Sequence, residues 1–337
     1  MVDRSTIPYS RRINNTSNSG AHPGQDSVDD SRVIGIDIGG TRSKVGIVDA
    51  SGTILRYDSM ETPFDKDPQQ FLRDLRALVE RFGTEEIQGV GLSLPGILTG
   101  DSRSIEFNPN TPFLEQVDFD RWLRQFGVPH AIEQDLNAAA LGEYVFGVGS
   151  GSPRFLAVSI GTGLGAGVVL DGELLRFTGG TVGDSGHIIL DPSGPRCASG
   201  CAGCAEAYVG VSALNRMAKE IAKTSGAIDV IDHDDPAAGL IAASARGEPR
   251  SMAAVDAVGT RLGQWLASIA PMFLPDRVAL CGGVAEAGET LLLACRRSFS
   301  ELSGAPYRDC EILLGGLGSR AGVVGAAVPL LLNVQPA

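Results

Sequence analysis

His187, Cys197, Cys201 and Cys204 follow the spacing His-x9-Cys-x3-Cys-x2-Cys, which brings one imidazole and three thiols into one stretch. Three thiolates and an imidazole make a complete tetrahedral donor set for Zn2+, and with no position left open such an ion is structural. Two other readings share the spacing. Cys-x3-Cys-x2-Cys also suits a radical iron–sulfur enzyme of the S-adenosylmethionine type, which needs a different barrel fold around it. Ordinary free thiols need no partner at all. With no visible export signal ahead of it, a tight cluster points to a metal before disulfides.

Two glycine turns offer a second chemistry. Ile36-Asp37-Ile38-Gly39-Gly40-Thr41 and Ser159-Ile160-Gly161-Thr162-Gly163 each close an apolar run. Glycine lets the backbone come close to a ligand, so each turn can aim N–H groups at a phosphate. Asp37, at the end of the first run, can hold Mg2+ through water. Tight hairpin turns are the alternative, but two turns in register, one carrying an acid, favour phosphate. Neither is a P-loop, since Gly-x-x-x-x-Gly-Lys-Ser/Thr is absent. Asp135 sits between a short strand and a helix. Phosphoryl transfer to an alcohol needs alignment, charge neutralisation and one acceptor for the hydroxyl proton. From its position alone, a helix N-cap is the plainer reading of Asp135.

The elements that must position these groups follow from periodicity. Val33–Ile38, Val45–Asp49 and Thr53–Leu55 read as strands separated by turns. A helix starts at Asp67-Pro68, keeps Phe71, Leu72, Leu75, Leu78, Val79 and Phe82 on one face, and stops at Gly83. A buried strand spans Ile87–Leu94, a helix Phe119–Phe126, a short strand Ala131-Ile132 and a further helix Leu136–Phe146. The pattern then recurs: Ile160-Gly161 lies on Ile38-Gly39, Val169-Leu170 on Ile47-Val48, and Asp171 on Asp49. Two copies of one strand–turn–strand unit predict two related α/β domains with a ligand cleft between them.

The net charge of −12 repels polyphosphate backbones, so neither nucleic acid nor an anionic membrane is expected as a partner. An anionic nucleotide must then be met by local N–H groups and a metal. No apolar run approaches the roughly 20 residues of a membrane span. Residues 1–31 are rich in Ser, Asn, Asp and Gly, without apolar periodicity, and read as a disordered tail.

Taken together, Asp37–Thr41, Glu133-Gln134-Asp135 with Asn137–Glu143, and Gly161–Gly165 resemble the ROK family of repressors, open reading frames and kinases, which includes bacterial glucokinases. The resemblance continues through Gly186-His187, Cys197, Cys204–Ala207, Gly282-Gly283-Val284, Leu314-Gly315 and Ala321–Ala327, covering about residues 33–332 in order. It implies the ribonuclease H-like fold of actin and hexokinase: a tail at 1–31, one domain of 32–135 with 325–337, and a second of 136–324 with the zinc loop. It implies a cytoplasmic homodimer that uses ATP and Mg2+ to phosphorylate a sugar.

On that pattern Gly39, Gly40, Thr41, Gly161, Thr162 and Gly163 face the phosphates. Gly282, Gly283, Leu314 and Gly315 flank the nucleoside, and Asp135 is the catalytic base. Asn110, Gln134, Asp135, Asp184, His187 and Glu206 meet the sugar, with His187 also ligating a structural Zn2+ beside Cys197, Cys201 and Cys204. Three positions depart from the family form: Gln134 stands where Asn is usual, Asp184 for Glu, and Ser199 for the second cysteine, with Cys201 expected to take over as ligand. All three fall on the acceptor side. The first expectation is therefore an ATP-dependent kinase of a hexose such as glucose, acting on the primary hydroxyl. The alternative is a kinase of an amino sugar or C7 cyclitol in a biosynthetic pathway. A non-catalytic sugar-responsive regulator is less expected, because a DNA-binding module ahead of Val33 would show helical periodicity and basic bias, and Met1–Arg32 shows neither.

Overall fold

The computed structural model describes residues 31–64, 67–83, 86–177, 180, 183–225 and 235–332. The tail expected over residues 1–31 lies outside them, apart from Ser31.

The first unit contains β1 (Arg32–Ile38), β2 (Arg42–Asp49), β3 (Ile54–Glu61), α1 (Pro68–Glu80), β4 (Gly89–Leu94), β5 (Ile97–Leu98), β6 (Ile105–Phe107), α2 (Phe119–Leu123) and β7 (His130–Gln134). From α3 (Asp135–Phe146) the chain continues through β8 (Arg154–Ile160), β9 (Leu164–Leu170), β10 (Glu173–Leu174), α4 (Ala205–Val209), α5 (Val211–Ser225), α6 (Pro236–Ala245) and α7 (Pro249–Phe273). It ends with β11 (Arg277–Cys281), α8 (Glu289–Leu302), β12 (Glu311–Leu314) and α9 (Ala321–Leu331).

The repeat legible in the sequence is a repeat of topology. One five-stranded sheet has the order β3-β2-β1-β4-β7, and the other runs β10-β9-β8-β11-β12. In each, a hairpin leads and two parallel strands follow. This is the ribonuclease H-like, actin/hexokinase-type arrangement.

Local chemistry explains most elements. Asp67 caps α1 by accepting from Gln70 N at 2.9 Å, with Pro68 at the first helical position. The apolar face of α1 buries Phe71, Leu72, Leu75, Leu78 and Val79. Truncating Leu75, which is wholly buried, to Ala would cost about 2–5 kcal/mol. The strand expected at Thr53–Leu55 extends to Glu61, because β3 is an edge strand whose polar residues face water while its backbone pairs with β2.

Two helices join the units. α3 packs against β8 and β9 of the second sheet, and α9 against β1 and β4 of the first, with α3 and α9 in contact. A Cβ on Gly142 of α3 would stand 2.7 Å from Ala321 O, so small residues set this close approach. Apart from Asp135, Asn137 and Glu143, α3 is apolar, and Asn137 to Tyr144 are all buried, so the helix has no single apolar face.

Candidate active site

Strand register builds the surroundings of Asp37. Asp37, the last but one residue of β1, pairs with Lys44 on β2 and with Ser93 on β4. Ser93 Oγ donates to Asp37 Oδ1 at 3.0 Å, and Lys44 Nζ lies 3.5 Å from Oδ2. Lys44 also donates to Ser319 O at 2.8 Å. The carboxylate is thus buried between a hydroxyl and an ammonium at the mouth of the first glycine turn. Sequence reasoning missed both partners. They are 7 and 56 residues away along the chain, and only the pairing of strands brings them in.

The two glycine turns face each other. A Cβ on Gly40 would stand 3.2 Å from Asn110 Cβ and 3.7 Å from Thr162 Oγ1. In the second turn Gly161 N donates to Gly163 O at 2.9 Å, and Val211 N, at the start of α5, donates to Gly161 O at 2.9 Å. A Cβ on Gly161 or Gly283 would meet nothing within 4 Å, so both backbones border open space. Gly282, at φ +87°, lies against Ile160 at the end of β8.

Asp135 is the first residue of α3, and the N-cap is Gln134. Gln134 Oε1 accepts from Leu136 N at 2.9 Å and from Asn137 N at 3.2 Å, while its Nε2 donates to Asp135 Oδ1. Leu136 N also donates to Asp135 Oδ1 at 2.8 Å. Burial, reinforced by the charges of Asp37 and Asp184, pushes Asp135 up to about 7. A carboxylate held near neutrality in this way suits a general base.

Behind this position Glu133 takes Arg176 Nε at 3.2 Å and Asn137 Nδ2 at 3.0 Å, and Asn137 also donates to Gly180 O. These bonds tie the segment beyond β10 to the start of α3. No pattern along the chain signals them.

The residues expected to meet the sugar include Asp184 and His187, at a short 3-10 turn, Ser185–His187. Trp265 Nε1, on a fully buried ring of α7, donates to Ser185 O at 2.8 Å and fixes that turn. His187 Nε2 lies 3.3 Å from Asp184 Oδ2, and its Nδ1 lies 3.7 Å from Cys197 Sγ. One ring nitrogen therefore faces the acid and the other the thiols. Glu206 Oε2 accepts from Leu164 N at 3.3 Å beside the second glycine turn. Burial raises its carboxyl, and His187 opposes that shift. Asn110 is held by its backbone N–H, which donates to Asn108 Oδ1 at 3.0 Å.

The thiol cluster fits a metal. Donor atoms of His187, Cys197 and Cys201 lie within 4.8 Å of one another. That is close to the separation of about 3.5–3.8 Å that Zn–N and Zn–S bonds impose in a tetrahedron. Cys204 is buried against Cys197 but outside that mutual set. Its thiol is pushed up to about 11 by burial, and Cys201 is raised by burial and by Cys197. Adjacent thiols that resist ionisation together are stabilised as thiolates by a divalent cation. Ser199 is exposed, whereas Cys201 points into the cluster.

Known proteins share this fold and much of this sequence. The ROK family model matches residues 33–332. The chain is 32% identical over 310 residues to a glucokinase of Streptomyces coelicolor, covering 87% of this chain and 96% of that one. Among solved structures, a ROK family glucokinase from Streptomyces griseus in complex with glucose and AMPPNP superposes with a TM-score of 0.80. Its identity is 31%, over 88% of this chain and 98% of that chain. A ROK hexokinase from Thermus thermophilus is 32% identical with a TM-score of 0.67, covering 90% and 99%.

Proposed function

The chain belongs to the ROK family, and we propose that it transfers the γ-phosphoryl group of ATP to the primary hydroxyl of a hexose such as glucose. The observation that carries this is the placement of Asp135. A carboxylate with raised basicity stands at the start of α3, close enough to Asp37 at the first glycine turn and to Asp184 beside His187 for both charges to push it up.

Oδ1 of Asp135 is held by Gln134 and Leu136 N, and Oδ2 is the oxygen we assign to the acceptor hydroxyl. It takes the hydroxyl proton as the acceptor oxygen attacks the γ-phosphorus and the bond to the ADP oxygen breaks. The backbone of Gly39–Thr41 and Gly161–Gly163 receives the phosphates. Gly282, Gly283, Leu314 and Gly315 flank the nucleoside. Asp37 would hold Mg2+ through water, and that ion supplies neutralisation of the phosphate charge. Lys44 and Ser93 keep the Asp37 carboxylate oriented. Asn110, Asp184, His187 and Glu206 orient the sugar hydroxyls.

His187, Cys197, Cys201 and Cys204 would hold a structural Zn2+, which fixes the imidazole so that Nε2 keeps its aim at the acceptor side. Gln134 serves this site as cap and as donor to Asp135 rather than as a free sugar contact. The same reading makes the protein a cytoplasmic homodimer.

A second reading, phosphorylation of an amino sugar or cyclitol, draws on Gln134 and Asp184. The amide of Gln134 is already committed to α3 and Asp135, and Asp184 is one methylene shorter than Glu. A coupled ADP-release assay with ATP over a panel of hexoses, amino sugars and cyclitols tests both. Glucose leading the panel sustains the first reading, and a cyclitol or amino sugar leading by a wide margin replaces it with the second. No ADP release with any acceptor refutes both.

A further inference from the structure

Glu143 lies on α3 eight residues after Asp135, about 12 Å along the helix axis, and is fully buried. Its carboxylate is met by backbone donors from two turns. Oε1 accepts from Leu317 N at 2.8 Å, and Oε2 from Gly316 N at 3.0 Å and Val148 N at 3.2 Å. Burying a carboxylate costs several kcal/mol unless such bonds offset it, so three N–H groups converging here constitute a built site.

The space around it is closed. A Cβ on Gly315 would stand 2.6 Å from Glu143 Oε1 and 2.8 Å from Cys281 Sγ. Gly316 and Leu317 continue directly from Leu314-Gly315, and Cys281 directly precedes Gly282-Gly283. One carboxylate therefore underlies both segments assigned above to the nucleoside.

We propose that Glu143 is a positioning residue for the nucleotide, which locks the Leu314–Leu317 turn to the helix that begins with Asp135. The inference rests on the kinase reading. Its physical content is that nucleoside and base share one rigid frame, so that the γ-phosphoryl group arrives in line with the hydroxyl that Asp135 activates. Sugar contacts from Asp184, His187 and Glu206 come from other elements and do not depend on this carboxylate.

The test is Glu143→Gln in the full chain. The substitution keeps the volume but sets an amide NH2 against a backbone N–H. ADP affinity by calorimetry and KM for ATP are each expected to weaken about tenfold, equivalent to one lost hydrogen bond to a charged group. The KM for the sugar is expected to stay within about twofold. Should Glu143→Gln not fold, Glu143→Asp keeps the charge but shortens the reach, and the same split between ATP and sugar is expected. Unchanged ADP affinity, or equal weakening of ATP and sugar, overturns the positioning role while the kinase reading stands. Wild-type protein that binds no adenine nucleotide overturns the kinase reading and this inference with it.

Discussion

The side-chain amide of Gln134 donates to Oδ1 of Asp135 while its own oxygen caps Leu136 N at 2.9 Å. The residue that ends β7 thus starts α3 and aims the carboxylate that follows it. The N-cap role that position alone suggested for Asp135 belongs to its neighbour.

Asp135→Asn should retain the fold and ADP binding but lose on the order of 10²–10⁴ in kcat, the range of a missing general base. Gln134→Ala should cost about 1 kcal/mol of stability as a lost cap and lower kcat more than it raises either KM. Near-wild-type turnover of Asp135→Asn on the best acceptor would remove Asp135 from the chemistry.

The basicity of Asp135 sets a pH dependence with a definite sign. An acid pushed up to about 7 from 3.8 must be ionised to accept a proton, so kcat/KM should fall tenfold per pH unit below about 7. The folded state binds this proton more tightly than the unfolded chain between about pH 4 and 7. Stability should therefore decline as pH rises through that window. Asp135→Asn should raise Tm at pH 8, and the gain should vanish below about pH 4. A kcat/KM profile that is flat from pH 5.5 to 8 contradicts the assignment.

Asp37 should matter for Mg2+·ATP and little for the sugar. Asp37→Asn should raise the Mg2+ concentration needed for half-maximal rate and lower kcat by about 10². Ser93→Ala removes only the 3.0 Å bond and should weaken the same step about fivefold, as a loss of about 1 kcal/mol does. An unaltered Mg2+ titration for Asp37→Asn would take this acid out of the phosphate site.

Purified protein should carry about one Zn2+ per chain by elemental analysis. Cys201→Ser should reduce occupancy and Ser199→Ala should not, since Cys201 lies within donor distance of His187 and Cys197 whereas Ser199 is exposed. Chelation should weaken sugar binding more than ADP binding, because His187 links the thiols to the acceptor side. Iron with acid-labile sulfide, or no metal at all, would refute this.

Short-range patterns carried much of this protein. The apolar runs closed by Gly39-Gly40 and Gly161-Thr162-Gly163, the face of α1 with Asp67 and Pro68 at its start, and the recurrence of one hairpin all repeat or alternate locally. Their physical causes, side-chain periodicity and glycine's freedom, act within a few residues. The same holds for the Cys197–Cys204 spacing. What chain order leaves open is which distant groups share a site. Lys44 and Ser93 reach Asp37 through strand register, and Thr162 reaches Gly40 because the turns that follow β1 and β8 meet. In the sequence Glu143 stands only as the last residue of the Asn137–Glu143 motif, with no partner indicated. Tertiary folding buries it and brings the Gly316 and Leu317 N–H groups, more than 170 residues on, to its oxygens. Hydrogen bonds and ion pairs between remote segments depend on where the backbone returns. In this protein α9 and the two mixed sheets decided that return.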